Sequence, residues 1–430
     1  MKKRLLNIIE HSYQKKWIII TDNTLRSLFP FVLILTSVQV LDSSFFAEFG
    51  FLKMILYPEQ WFPFYQQVGH FLAQFSSFRT GILGWLAAYF GATYTMRYYG
   101  LRDQMISVSA ILFYQIFYAQ GLTTSLNINT FSELSFIGSA NLLIGFLIGF
   151  FIGHIGYLSY YKFSLSYLSK KEINKMLIRQ FQLLITVIII AVSFNGIMTV
   201  LRKFGIYQWL YNIITQFLAS FPDYVFTFFV TITHSLLALI GFSFPFFSQG
   251  FDDTTAVENL NIALSSNNLY QLPHRWTVMT LYQSYGIVGG VGNLLAILVI
   301  IIVFSRHIKM KQISYLSFFP SFFGNGISAM TGLPIIFNIV YLIPFFITPL
   351  INELIAGVCI YLRLVPLSAF PVPFGTPGIF YAFIATGGSF RTLALVIMLL
   401  ILDIIIYFPF VRYHEMLLIR YEKRREVLYD

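Results

Sequence analysis

Long apolar runs, separated by short polar segments, dominate this sequence. Nine of these runs are candidate membrane spans, at 28–41, 71–90, 105–122, 142–161, 181–201, 224–247, 279–304, 335–351 and 393–411. One span of a bilayer needs ~20 apolar residues, and two further runs, 207–221 and 354–370, are too short or too broken to assign safely. The runs therefore predict an all-α polytopic membrane protein with about ten transmembrane helices and with re-entrant hairpins.

Composition supports membrane residence and excludes several other classes of protein. Charged residues make up 11% of the chain, against roughly 25% in soluble domains. The apolar runs are continuous, whereas barrel strands alternate apolar and polar residues over ~10 positions. The net charge of +10 lies in short runs between apolar spans, which does not indicate nucleic-acid binding. Cys359 is the one cysteine, so internal disulfides and thiol metal clusters are excluded.

The basic residues predict the orientation of the chain and its division into bundles. Lys and Arg cluster at 162–179, 306–311 and 412–425, and the positive-inside rule places these segments and the N-terminus in the cytosol. The acidic segment 248–273 has no Lys or Arg and is expected outside the cell, or folded back as a lid. The predicted units are, in chain order, an N-terminal transmembrane bundle at 1–161, a cytosolic linker at 162–179, a C-terminal transmembrane bundle at 180–411 and a cytosolic tail at 412–430.

The segment 320–338 is broken by glycine and proline between two apolar runs. Backbone that cannot stay helical in a membrane is tolerated only where protein buries it or a watery cavity meets it. Transporters bind substrates at such breaks. The polar residues predicted to contact a substrate here are Asn325, Ser328, Thr331 and Asn338, while Thr376 and Pro377 are expected to shape a second broken segment.

Ionisable residues within spans are costly and are functional candidates by default. His234 is predicted to line the substrate site, or else to bond to a neighbouring helix or to a hydroxyl such as that of Thr231. Glu353 is a second candidate liner, with an ion pair or a position at the membrane surface as the alternative. Asp403 is interpreted as a partner between helices. The sequence shows no phosphate loop, metal motif or catalytic constellation, so no cofactor, no metal and no catalytic residue of its own are predicted.

Several blocks occur together in the order of a known family. They are 289–295, 305–312, 332–338, 343–349, 372–377, 385–387 and 403–410, with a fainter block at 136–142. Together they resemble the membrane permease subunit, enzyme IIC, of the bacterial phosphotransferase system. The lactose, cellobiose and diacetylchitobiose branch matches best, over roughly a third of the chain.

This resemblance implies a homodimer in the bacterial plasma membrane, in which the N-terminal bundle 1–161 forms the dimer. It also implies a C-terminal bundle that holds one sugar between re-entrant hairpins and carries it by an elevator-like movement. A IIB subunit, itself served by a IIA subunit, would phosphorylate the sugar at the cytosolic face. If active, the chain would be the membrane subunit of a sugar phosphotransferase complex.

Two departures from the family pattern concern the sugar contacts. The family shows Asn-x-Asn-Glu-Pro before its Gly-x-Pro run, and Ile327 stands here in place of the Glu. The family's His between glycines is also missing around 239–242, whereas Asn338 matches a family Asn. A charge-assisted hydrogen bond is worth roughly 1.5–3 kcal/mol, so losing one lowers affinity by about ten- to a hundred-fold.

Two functions are consistent with this sequence. The first is a permease that translocates a disaccharide of the cellobiose or lactose type for phosphorylation by a IIB partner. The alternative is a degenerate IIC-like membrane protein without coupling to sugar phosphorylation, acting as a facilitator, a sensor or an assembly partner. A membrane-embedded enzyme of unrelated chemistry finds no support in the motifs.

Overall fold

The computed structural model describes residues 15–123, 141–162, 221–242, 254–266 and 268–429, with a few isolated positions between 185 and 209. Most of the predicted runs 181–201 and 207–221, and most of the linker 162–179, lie outside the described residues. The helices in chain order are α1 Lys16–Leu41, α2 Phe51–Leu56, α3 Tyr65–Tyr98, α4 Gln104–Thr123, α5 Asn141–Lys162, α6 Asp223–Leu239, α7 Thr254–Ser266, α8 Leu294–Phe304, α9 Ile308–Phe322, α10 Ile327–Gly332, α11 Leu342–Tyr361, α12 Gly378–Ala385 and α13 Phe390–Tyr429.

The described chain is all-α, as predicted. Two π-helical segments, Asp42–Phe46 and Met279–Gly286, and a short 3-10 turn at Pro58–Gln60 complete its regular structure. The described residues form no strand, and Gly50 and Phe374 make a single isolated parallel bridge. By length and composition, three helical segments can each cross a membrane: Lys16–Phe46, Leu342–Tyr361 and Phe390–Arg420. Together with the shorter apolar helices, they make this a polytopic membrane protein.

Two of the predicted apolar runs are not continuous helices. The run 335–351 begins with turns, and α11 starts only at Leu342 and continues to Tyr361, into the run 354–370 that the sequence left unassigned. The run 279–304 is divided by a glycine turn between Gly286 and Leu294. Backbone conformation explains this break, because Gly289, Gly290 and Gly292 all have positive φ, which glycine adopts without steric cost.

Small residues let α3 and α5 pack closely. A methyl group added to Gly149 of α5 would lie 2.9 Å from the carbonyl carbon of Ala88 and 2.9 Å from the nitrogen of Ala92, both on α3. Van der Waals contact between close backbones is a principal source of helix association in membranes, where the hydrophobic effect between helices is weak. These two helices therefore form a compact pair, and α1 packs against the α3 member of it.

A buried carboxylate fixes the turn between α8 and α9. Glu415 of α13 accepts hydrogen bonds from the backbone N–H groups of Arg306 at 2.7 Å and His307 at 3.0 Å, and from the Ser305 hydroxyl at 2.8 Å. The first N–H groups of a helix have no acceptor within the helix. Here the Glu415 carboxylate of α13 is the acceptor for the N–H groups directly before α9. His307 in turn accepts from the N–H of Met310, which caps the first turn of α9.

The broken segment 320–338 and the segment before α12 both approach the glycine turn 286–292. A methyl group added to Gly290 would lie 3.0 Å from the backbone nitrogen of Gly326, just before α10. A methyl group on Gly378, at the start of α12, would lie 2.8 Å from the nitrogen of Gly289. The glycines of the run 286–292 therefore allow the backbones of both segments to approach closely.

Candidate functional site

A cavity of about 420 Å³ lies between α1, α6 and the turn that precedes α10. Its polar lining comes from α1, from the π-helical segment that follows α1, from α6 and from the broken segment: Thr36, Gln39, Ser43, His234 and Asn325. Apolar side chains that include Leu83, Leu142, Phe242, Leu294, Phe323 and Met330 form much of the remaining wall. An apolar cavity of this size with a few convergent polar groups is typical of small-molecule sites, which run from roughly 300 to 1,000 Å³.

Two of the eight predicted substrate contacts, Asn325 and His234, line this cavity. The Asn325 amide nitrogen donates to Oε1 of Gln39 at 2.7 Å. His234 Nδ1 lies 2.7 Å from the hydroxyl oxygen of Tyr282, in the second π-helical segment. His234 therefore combines both sequence interpretations, since it lines a cavity and also bonds to a neighbouring element.

Ile327, which stands where the resembled family has a Glu, also lines the cavity and is 38% exposed. The cavity wall contains no carboxylate among the residues that the structure describes. Hydroxyl groups of a ligand would thus meet amides, hydroxyls and an imidazole, which are neutral or weakly charged partners.

Ser328 and Thr331 lie in α10 and are buried away from the cavity. The Thr331 hydroxyl donates to the carbonyls of Ile327 and Ser328, each at 3.0 Å, so its own helix satisfies it. The Ser328 hydroxyl has no hydrogen-bond partner among the described residues. In this conformation neither side chain lines the cavity, so their role as substrate contacts stays a prediction.

Asn338 lies beside a second, smaller cavity of about 40 Å³ together with His414. Its amide nitrogen donates to Nε2 of His414 at 3.2 Å, while its Oδ1 accepts from the N–H of Val340 at 3.0 Å. Because Nε2 accepts, Nδ1 carries the proton and donates to the Tyr341 hydroxyl at 3.0 Å. The structure thus places Asn338 in a side-chain network apart from Asn325.

Glu353 is fully buried on α11 and does not line the larger cavity. Its Oε1 accepts a short hydrogen bond from the hydroxyl of Thr231, which lies one turn before His234 on α6. It forms no ion pair with any described residue, and its burial places it away from the surface. Among the described residues, neither the ion pair nor the surface position that the sequence left open is therefore found. Glu353 lies behind the cavity wall.

Asp403 joins two helices, as its sequence interpretation predicts. Its Oδ2 accepts from the Asn352 amide of α11 at 3.0 Å, and Asn352 also donates to the carbonyl of Tyr285 at 3.3 Å. One turn further along α13, the Tyr407 hydroxyl donates to the carbonyl of Gly292 at 2.5 Å. These bonds tie α13 to the break that precedes α8.

Thr376 and Pro377 lie in the second broken segment, outside the cavity. The Thr376 hydroxyl donates to the carbonyl of Pro373 at 2.7 Å, and Pro377 is the N-cap residue of α12. Their neighbour Gly375 does line the cavity. They shape this segment by local bonds, and a direct contact with substrate stays a prediction.

Sequence reasoning missed Thr36 and Gln39 of α1, and Ser43 of the π-helical segment that follows it. Gln39 is a polar side chain close to the end of the apolar run 28–41, and this was the available signal. The run was assigned to the N-terminal bundle, whereas the cavity lies between α1 and the C-terminal segments.

No protein-family model matches the chain. Its sequence is 33% identical over 168 residues to the PTS system cellobiose-specific EIIC component of Lactococcus lactis, which covers 39% of this chain and 33% of that protein. It is 32% identical over 143 residues to the PTS system lactose-specific EIICB component of Lacticaseibacillus casei, covering 32% of this chain and 24% of that protein. The matches thus span about a third and a quarter of these curated relatives.

A comparison of folds aligns the chain with the crystal structure of the transporter ChbC, the IIC component from the N,N'-diacetylchitobiose-specific phosphotransferase system. The alignment has a TM-score of 0.42 and 19% sequence identity, and covers 98% of this chain and 99% of that one. The sequence matches confirm the predicted resemblance: over about two fifths of its length, the chain is similar to the EIIC and EIICB components of cellobiose- and lactose-specific phosphotransferase systems.

Proposed function

We propose that this protein is the membrane permease component of a phosphotransferase-system sugar transporter. It translocates a disaccharide of the cellobiose or lactose type, which a IIB partner phosphorylates. The observation that carries the proposal is the cavity of about 420 Å³ at the broken segment, in a chain whose sequence is similar to EIIC components. Both the size of this cavity and its sparse polar lining suit a small solute.

The proposed contacts follow from the lining residues. Amides and imidazoles bond to hydroxyl groups, and the apolar face of a sugar ring packs on an aromatic side chain. Asn325, Gln39 and His234 would bond to sugar hydroxyls, with Phe242 or Phe323 beside the ring. Binding would separate or rearrange the Asn325–Gln39 pair, which spans the cavity wall.

The assembly belongs to the same proposal. The protein would be a homodimer in the bacterial plasma membrane, with the dimer formed by the bundle 1–161 and both termini in the cytosol. The bundle 180–411 would carry the sugar to the cytosolic face, where IIB, charged by IIA, transfers a phosphoryl group to it. The polar segment 248–273 would lie on the outer side.

The test is calorimetric binding of a panel of β-linked disaccharides to the purified full chain. We expect saturable binding of one sugar, weakened about ten-fold in Asn325→Ala because one side-chain hydrogen bond is lost. The matched Asn325→Asp variant keeps the size of the side chain but removes the N–H donor. Folded, dimeric protein that binds no sugar in the panel would contradict the proposal.

One observation favours a second function, a facilitator that is not coupled to phosphorylation. Ile327 puts an apolar side chain into the cavity where the resembling family has a carboxylate. Uptake of labelled cellobiose by proteoliposomes that lack IIA and IIB distinguishes the facilitator from the permease. Accumulation of unmodified sugar there supports the facilitator, whereas uptake that requires both partners supports the permease.

A further inference from the structure

The imidazole of His234 lies on the cavity wall and contacts the second π-helical segment behind that wall. Its Nδ1 lies 2.7 Å from the hydroxyl oxygen of Tyr282. The two rings meet edge to face, with 5.7 Å between their centroids and 68° between their planes. Each nitrogen of an imidazole makes one hydrogen bond, so a ligand that bonds to His234 without displacing Tyr282 must use Nε2.

Tyr282 is held in place by close packing. Its side chain is fully buried in the π-helical segment Met279–Gly286 and does not itself line the cavity. A methyl group added to Gly286 would lie 2.7 Å from the ring of Tyr282, so glycine at this position makes room for the ring. π-helical turns are rare and are frequent at functional sites. A buried ring packed in this way is a fixed partner for a side chain that faces a ligand.

The helix that carries His234 is anchored beside the same contact. One turn before His234, the Thr231 hydroxyl of α6 donates to Oε1 of Glu353, which is fully buried on α11. The π-helical segment packs against both α6 and α11. The backbone at His234 is therefore tied to α11, and its side chain is tied to the π-helical segment. Both bonds are made in the absence of a ligand.

We propose that Tyr282 is a positioning residue for sugar binding: its hydroxyl holds the His234 ring in one orientation and one tautomer, so that Nε2 bonds to a sugar hydroxyl. The phenol can donate to Nδ1 or accept from it, and either arrangement fixes the proton on one ring nitrogen. A side chain that is already oriented loses less freedom when a ligand binds, which raises the affinity. This inference rests on the proposed function, because it assigns a further residue to recognition of the same sugar.

Calorimetric binding of cellobiose to the purified full chain tests the proposal. Tyr282→Phe removes the hydroxyl and keeps the ring, so we expect the affinity to fall about three- to ten-fold. In a His234→Gln background, the same substitution should change the affinity by less than about two-fold, because no imidazole remains to be oriented. An equal loss in both backgrounds, or no loss in either, would overturn the proposal.

Tyr285→Phe is the matched control for the loss of a buried hydroxyl. Tyr285 lies in the same π-helical segment and is equally buried, but its hydroxyl has no hydrogen-bond partner among the described residues. This variant should bind cellobiose as the unmodified protein does. If both Phe variants lose the same affinity, the effect comes from packing of the segment, and the positioning role of Tyr282 is wrong.

NMR of the imidazole nitrogens gives a second readout that needs no sugar. With isotope-labelled histidine, the signals of His234 are assigned by their loss in His234→Gln. We expect one tautomer in the unmodified chain and in Tyr285→Phe, and a mixture of tautomers in Tyr282→Phe. A mixture in the unmodified chain, or signals that Tyr282→Phe leaves unchanged, would overturn the positioning role even where cellobiose binds. The expected signals in a protein that binds no disaccharide would support the contact and contradict only the proposed function.

Discussion

Asn325 and Gln39 are hydrogen-bonded across the cavity wall, with 2.7 Å between the Asn325 amide nitrogen and the Gln39 oxygen. The two residues lie 286 positions apart in the chain. Gln39 belongs to α1, near the N-terminus, and Asn325 belongs to the turn that precedes α10. This bond therefore connects the first described helix to the broken segment and gives the cavity two adjacent amides.

The first prediction concerns the coupling of this pair. Removing either side chain deprives the other amide of its hydrogen-bond partner. We expect each removal to lower the free energy of unfolding by about 1 kcal/mol. In a double-mutant cycle of Asn325→Ala and Gln39→Ala, the combined loss should be smaller than the sum of the single losses. Thermal unfolding in detergent measures all four proteins, and strict additivity would show that the bond does not contribute.

Restoring an acid at position 327 should strengthen sugar binding. Ile327 lines the cavity next to Asn325 and is partly exposed, so Ile327→Glu can reach a ligand without being buried. One charge-assisted hydrogen bond would raise the affinity for cellobiose by about ten- to a hundred-fold. Calorimetry checks this, with Ile327→Gln as the neutral control of equal size; an equal gain in both variants would rule out a role of charge.

The stability of the folded protein should depend weakly on pH through His274, in the segment that follows α7. Its Nε2 lies 3.0 Å from Glu258 and its Nδ1 lies 3.4 Å from Asp223, and the hydrogen bond to Glu258 is the main cause that raises the pKa of His274. A raised pKa in the folded state means that the stabilisation is present below the ordinary pKa of histidine and is lost as pH rises through the raised value.

Unfolding temperatures across this pH range provide the measurement. Because the imidazole and its partners are partly exposed, we expect an effect of no more than about 2 °C, which should be missing in His274→Gln. His70→Gln, at an exposed position, is the control and should keep the pH dependence of the unmodified protein. An unchanged pH profile in His274→Gln would show that this histidine is not responsible.

The hydroxyl of Tyr407 should contribute strongly to stability. It donates to the carbonyl of Gly292 at 2.5 Å and accepts from Thr348 at 3.3 Å, and the side chain is fully buried. Tyr407→Phe leaves that carbonyl without its donor, at a cost of about 1–3 kcal/mol. Thermal unfolding tests this against Tyr315→Phe, whose ring is 59% exposed, and equal unfolding temperatures in the two variants would contradict the prediction.

Close packing of α3 against α5 should make Gly149 intolerant of a side chain. A methyl group there would lie within 2.9 Å of the α3 backbone, so Gly149→Ala forces the helices apart at a cost of about 1–3 kcal/mol. Leu147→Ala changes a half-exposed side chain on the same helix and is the control. If Gly149→Ala unfolds at the same temperature as the unmodified protein, the contact is not a source of stability.

The sequence by itself determined the membrane character, the helical class and the position of the main break. These follow from local properties: the length of the apolar runs, the low charge, and the glycines and prolines at 320–338, which interrupt a continuous helix. It also identified Asn325 and His234, because polar groups in apolar surroundings are costly wherever the chain places them.

Only the tertiary structure decided which of these polar groups meet. Gln39 joins the cavity because α1 packs beside the turn before α10, and Asn338 faces His414 because α13 passes behind it. Glu353 lies behind His234 because α11 packs against α6, a fact that one helix alone cannot show. Contacts between residues far apart in the chain depend on how whole helices pack, and local patterns of hydrophobicity do not specify that packing.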